Sequence, residues 1–177
     1  LTWAHGYPSM GYSGDFIYDG SRKPLFSSKY DYFADNYLGF MEMTLLDGRM
    51  PESGSETEIA VNQEFCRQMG WDEKNAMGKI VYTSNGPCTV TGLLRDFRTA
   101  SYYLPQQPFM ARITRYPAFI YLKLKEPFDQ NRQRLDAAIA ETFPGESVFV
   151  RSLPATITDA YAAIALFEKF AAIAGCV

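Results

Sequence analysis

The chain has 177 residues, 47% of them hydrophobic and 21% charged, proportions of an ordinary globular sequence that exclude disorder and low-complexity repeats. Seventeen lysines and arginines stand against 20 acidic residues, a net charge of −3, so the basic surplus that phosphate-backbone binding requires is missing and a nucleic-acid partner is not expected. At this length about two-thirds of the unfolded surface can be buried, enough for one core or for a core divided between two subdomains.

In chain order, 1–20 is rich in Gly, Tyr and Ser, with Phe16-Ile17-Tyr18 as a short strand before a turn at Asp19-Gly20. A short helix is predicted from Tyr32 to Tyr37, ending at Gly39, and a strand from Met41 to Leu46, stopping at Asp47-Gly48-Arg49. The stretch from Pro51 to Glu58 reads as an exposed polar connector. Ile59-Ala60-Val61 is a strand, and Asn62 caps a helix through Met69 that closes at Gly70, where glycine tolerates the left-handed conformation. Two β-rich runs, Lys79 to Thr83 and Thr89 to Leu94, join across Ser84-Asn85-Gly86-Pro87 as a hairpin.

From Asp96 to Tyr116 two prolines and several aromatics show no period, apart from a strand near Phe109 to Ile113. Alternation returns from Ala118 to Lys125, which predicts a strand. Asp129 stands as an N-cap for a helix that buries Leu135, Ala138, Ile139 and Phe143 before Pro144-Gly145, and Ser147 to Arg151 forms a return strand. This is a split βαβ-type block, with a weaker strand–helix–strand echo between Tyr30 and Leu46. The expected fold class is α+β with a middle insertion, and Pro154 suits the first turn of a closing helix.

The chain opens Leu1-Thr2-Trp3 with no signal-peptide pattern and reads as an excised piece. Its last residues, past Lys169, are apolar all round but far short of the ~20 that span a bilayer; they suit a core helix or the start of a membrane span. The three cysteines, Cys66, Cys88 and Cys176, are too few for a disulfide framework or a paired-Cys zinc site. Buried free thiols are the preferred state of Cys66 and Cys88, with a bridge between them as the alternative.

No catalytic, cofactor-binding or metal site is assigned. His5 is the single histidine and lies near the terminus, where the rigid neighbours of a triad are not expected. Gly78-Lys79 lacks the flanking residues of a phosphate loop, and Gly6, Gly11 and Gly14 miss the dinucleotide spacing. Glu52, Glu56 and Glu58 lack EF-hand spacing and read as a solvated acidic loop. The rings of Tyr102, Tyr103, Phe109 and Tyr116 fall in irregular stretches, as core packing or as a ligand groove.

The order of Tyr37 to Gly39, Leu45-Leu46-Asp47-Gly48-Arg49, Ile59-Ala60-Val61-Asn62, Met69-Gly70-Trp71, Gly78-Lys79, Val90-Thr91-Gly92-Leu93-Leu94 and Arg95-Asp96-Phe97 resembles the extracytoplasmic core domain of MacB/FtsX-like ABC transporter permeases. Each fragment alone is weak; their order and spacing over Asp31 to Phe170 carry the resemblance. It implies a porter-like subdomain over 1–50 plus 115–160, an inserted β-rich subdomain over 51–114, and a stalk helix over 161–177 leading toward a membrane span. Gly48, Gly70 and Gly92 then serve turns or close backbone approach, and Arg49 is expected to pair with Asp96 and brace the two subdomains.

The resemblance further implies a non-catalytic domain of a permease in the inner membrane. The intact protein would be dimeric and would couple a cytoplasmic ABC ATPase to the movement or release of a peptide, drug or lipoprotein, or to a periplasmic adaptor. The closing helix from Pro154 to Phe170 is the expected transmission element. The alternative is a free-standing envelope module that binds glycan or lipid in an aromatic groove.

Overall fold

A computed structural model describes residues 1–6, 12–98, 104–156, 158 and 161–162. Its contacts gather into a first unit, Leu1–Tyr121, and a second, Leu122–Val177.

The first unit is built on a mixed sheet. Its strands are β1 (Thr2–Ala4), β2 (Ser13–Tyr18), β3 (Pro24–Phe33), β4 (Leu45–Gly48), β5 (Glu58–Asn62), β6 (Ile80–Thr83), β7 (Gly86–Leu94), β8 (Phe109–Ile113) and β9 (Phe119–Tyr121). Two short helices interrupt them, α1 (Tyr37–Phe40) and α2 (Gln63–Gln68). The pairings run β2-β6-β7-β5-β8-β3, and β3 pairs back onto β2, so six strands close into a ring. β1 and β9 extend the sheet from β3, and β4 pairs with β7. The β2–β3 side is a full antiparallel hairpin, whereas β2 meets β6 at one residue pair, Tyr18 with Tyr82.

Side-chain alternation divides the buried residues between two cores. Ile59 and Val61 of β5 join Met110 of β8, Ile17 of β2 and Val81 of β6 in one cluster. Their neighbours Ala60, Phe109, Ala111 and Ile113 turn the other way, to Phe33 and Tyr37. Being covered on both sides, β5 is an uninterrupted apolar run in which Ile59, Ala60 and Val61 are all fully buried. On β7, Val90 and Leu93 share a cluster despite their odd spacing. A register shift in the β5–β7 pairing, between Ile59 and Ala60, absorbs the extra residue. In the second core Phe33 stacks on Tyr37 at 4.2 Å and on Phe109 at 6.0 Å.

Asn62 ties three segments together. Its extended backbone ends β5, and its Oδ1 accepts from the Phe65 amide at 3.0 Å, capping α2. The same oxygen accepts from the Phe109 amide at 2.9 Å, and Nδ2 donates to the Gln107 carbonyl at 3.0 Å. Glu64 in the first turn and Arg67 in the last complement the helix dipole. Gly70 closes the segment at φ 67°. Gly48 and Gly92 face each other across β4 and β7. The chains approach so closely that a Cβ on Gly92 would lie 2.4 Å from the Arg49 carbonyl oxygen. Gly48 also sits at φ 70°, a conformation that glycine tolerates.

The fold is α+β, and several elements stand where the sequence places them: the capped helix after Ile59-Ala60-Val61, the hairpin across Ser84 and Asn85, and the strand Phe109–Ile113. Five expectations are corrected. Residues 32–33 complete β3, and the helix begins only at Tyr37, because pairing with β8, and of Phe33 also with Ala4 of β1, holds the chain extended. The strand expected from Met41 to Leu46 is instead Leu45–Gly48, the stretch that pairs with β7. An echo of strand, helix and strand does exist here as β3, α1 and β4. The strand expected from Ala118 to Lys125 is limited to Phe119–Tyr121, the length over which β1 offers a partner. In the second unit, α3 (Phe128–Thr142) is capped by Pro127, with Asp129 inside its first turn, and none of its residues is buried. Residues 147–151 take no strand conformation, so the block from 118 to 151 lacks its return strand. Residues 153–156 are helical, as Pro154 suggests; most of the closing helix and Cys176 lie outside the described residues.

Replacing Asn62 with Ala removes a cap worth about 1 kcal/mol and leaves the Phe109 amide and Gln107 carbonyl unsatisfied, at about 1–3 kcal/mol each. Urea unfolding of Asn62→Ala is therefore expected to show a loss of about 3 kcal/mol or more. Gly92→Ala, which forces a methyl against a backbone carbonyl, is expected to lower the melting temperature far more than Gly39→Ala, at a position without a positive φ where an added Cβ meets nothing within 4 Å.

Candidate functional site

The residues that carry the permease-like pattern are engaged in internal polar contacts. Asp96 accepts from the Glu64 amide at 2.9 Å through Oδ1 and from the Arg67 guanidinium through Oδ2, while its own amide donates to Gln63 Oε1 at 3.1 Å. Arg67 also reaches Glu64 at 2.8 Å. Asp96 thus fastens the start of α2 to the end of β7.

The expected Arg49–Asp96 pair is not formed. Arg49 instead grips Glu58 with both terminal nitrogens, at 2.9 Å and 2.5 Å, and Glu58 also accepts from the Glu52 amide at 2.8 Å. The Arg49 hydrogen bond holds the Glu58 carboxyl below its ordinary range. The acidic loop is therefore pinned at Glu58, while Glu52 and Glu56 remain exposed.

A second polar centre, which no sequence signal marks, is Asp31 on β3. It is 2% exposed. Oδ1 accepts from the amides of Gly6 and Tyr32, each at 2.7 Å, and Oδ2 is buried with no hydrogen-bond partner among the described residues. Burial pushes the carboxyl up to about 6, against the opposing pull of those amides and of His5. Burial and the neighbouring Asp31 charge push the Tyr12 hydroxyl far above its usual range. Gly6 stands where it does because a Cβ there would meet Asp31 Oδ2 at 2.6 Å. His5 places Nε2 2.8 Å from the Tyr116 carbonyl and rests on Tyr32 at 5.0 Å.

The two cysteines described are free and buried. Burial raises the Cys66 thiol to about 11, and Cys88 Sγ accepts from Arg112 at 3.0 Å. Among the described residues no group of three His, Cys, Asp or Glu side chains is placed to hold a metal ion. Phe109, one of the four candidate groove rings, is fully buried, with edge contacts to Tyr12 at 5.0 Å and Phe97 at 4.9 Å. It is a core ring. Tyr116 is 80% exposed, and Tyr102 and Tyr103 lie outside the described residues.

Among the described residues a concave feature lies at the β2–β6 seam. Tyr18, Arg22, Tyr82, Thr83, Ser84 and Pro87 are among the residues lining a cavity of about 280 Å³. Tyr18 and Tyr82 reach it because they are the cross-strand pair that closes the ring. Asp19 shapes the adjoining loop. Its Oδ1 accepts from the Ser21 amide at 2.8 Å, the Ser21 hydroxyl at 2.7 Å and the Lys23 amide at 2.9 Å, and these bonds hold its carboxyl below the ordinary range.

No protein-family model matches the chain, and no curated protein matches it. Solved structures do. A domain of a protein described as a permease from Porphyromonas gingivalis superposes with a TM-score of 0.53 at 17% identity, over 80% of this chain and 66% of that one. The periplasmic region of MacB from Actinobacillus actinomycetemcomitans superposes with a TM-score of 0.50 at 12% identity, over 84% of this chain and 73% of that one. The chain thus has the fold of those domains, and it spans just under two-thirds of the first.

Because its raised ionisation favours the protonated form in the folded state, Asp31 contributes stability that is full below about pH 4, the unfolded carboxyl range, and is lost as pH rises through about 6. An Asn keeps the acceptor for Gly6 and Tyr32 without the buried charge. Asp31→Asn is therefore expected to melt higher than the parent near pH 7.5 and to lose that advantage near pH 4, as read by thermal unfolding across this range.

Proposed function

We propose that this chain is the extracytoplasmic domain of an ABC transporter permease, coupling ATP hydrolysis by a cytoplasmic ATPase subunit or domain to the movement or release of an envelope substrate or to a partner protein. The observation that carries the reading is the superposition on a permease domain over 80% of this chain. A second observation supports it: Asn62, Asp96 and the Gly48–Gly92 contact, all within the permease-like pattern, fasten backbone segments to one another. Residues used in this way suit a body that passes displacement along without doing chemistry.

Within this proposal, 1–50 with 115–160 acts as the porter-like part, 51–114 as the inserted β-rich part and 161–177 as the stalk. The intact permease is a dimer in the cytoplasmic membrane. Among the described residues no helix is long and apolar enough to cross a membrane; the proposal places the spans in flanking chain. The closing helix from Pro154 to Phe170 carries the displacement.

The complete reading frame is expected to show apolar runs of about 20 residues directly before Leu1 and continuing past Val177. Polar flanks on both sides would overturn the proposal. In the full-length protein, a flexible Gly-Ser insertion after Pro154 is expected to abolish substrate-stimulated ATP turnover while leaving basal turnover in place; unchanged stimulation would remove the closing helix from the mechanism.

A further inference from the structure

The crevice at the β2–β6 seam has a composition that the transport reading leaves unused. Its polar rim is partly committed to internal bonds: the Thr83 hydroxyl donates to the Gly86 carbonyl at 3.0 Å and Ser84 donates to Asp15, while in the adjoining loop Asp19 Oδ1 accepts from Ser21 and Lys23. Among the described residues three lining side chains form no intramolecular hydrogen bond or ion pair: the Tyr18 and Tyr82 hydroxyls and the Arg22 guanidinium.

Arg22 is also held in an unfavourable backbone conformation, at φ 65°, which strains a non-glycine residue. The loop imposes it. Asp19 N donates to Lys23 O at 2.9 Å and Arg22 N donates to Asp19 O at 3.0 Å, closing the turn around the Asp19 carboxylate. Hydrogen bonds thus fix the turn that brings Arg22 to the cavity wall.

Two tyrosines and an arginine that line one cavity complement a carboxylate attached to an apolar or flat body. A volume of about 280 Å³ accommodates a ligand the size of one or two amino-acid residues. We propose that the seam crevice captures a small organic acid with a flat or apolar body, with the carboxylate on Arg22 and the body against Tyr18 and Tyr82.

This goes beyond the transport reading and does not depend on it, since it is measured on the 177-residue chain alone. The test is an NMR titration of that chain with N-acetyl-Ala-Tyr, its C-terminal amide, and glucuronate, each to about 5 mM, a range suited to weak sites. The expected result is perturbation of the Tyr18 and Tyr82 signals by the free acid and at least tenfold weaker binding of the amide. Arg22→Gly suits the positive φ and so keeps the fold; it is expected to erase the difference between acid and amide. Equal affinity for acid and amide, perturbations confined elsewhere, or no binding would overturn the proposal. Glucuronate binding as tightly as the aromatic peptide acid would overturn the part given to Tyr18 and Tyr82.

Discussion

The side chain of Asn62 is the fastening on which the first unit depends. One amide side chain ends β5, starts α2 and holds the beginning of β8, using an oxygen shared by two backbone donors and a nitrogen on a backbone carbonyl. Because it is fully buried, no water can replace any of these partners. The consequence reaches both cores. β5 and β8 each send alternate residues to opposite sides, so fixing their register at Asn62 fixes which side chains enter which cluster. The small Ala60–Ala111 pair lies in the same antiparallel ladder, two positions from the fastening.

The other pattern residues act in the same way at smaller scale. Asp96 anchors α2 from the end of β7, and Gly92 lets the carbonyl of Arg49 come against that strand. Arg49 then secures Glu58 at the start of β5, so the 49–58 segment is tied at both ends. These contacts converge on β5 and β7 and tie the two strands to their flanking turns as one body. A domain that transmits force needs such a body more than it needs reactive groups, and this is the physical sense in which the pattern suits a moving part.

What could be read from the sequence was what is decided locally. A cap needs its acceptor three residues from its donor, and a tight hairpin needs its turn residues in place, so α2 and the β6–β7 hairpin were legible. β3 was not: Ser27, Ser28, Lys29 and Asp31 are poor strand formers, and the segment is extended because β2 and β8 flank it. The same limit hid the partners of charges. Arg49 takes Glu58 in place of Asp96 because the β4–β7 contact turns it toward the start of β5, a geometry without a sequence signature. Asp31 was invisible for a related reason, since only the tertiary fold places a carboxyl in a dry site. The seam crevice joins residues near 20 and near 84, which no spacing rule connects. Conversely, α3 shows that a periodic apolar face in the sequence can form its helix while its Leu135 and Ile139 become no more than half-buried.

The seam itself has a kinetic side. Five of the six contacts that close the ring are ladders of two or more residue pairs, whereas the sixth is the lone Tyr18–Tyr82 bridge. Its two residues are distant in the chain, so joining them costs loop entropy that a single pair returns poorly. The β2–β3 hairpin can therefore assemble early on local contacts and swing against β6 last. In the finished protein, amide protons bordering this joint would exchange through brief local opening long before those of β5 and β8, whose release requires the whole unit to unfold.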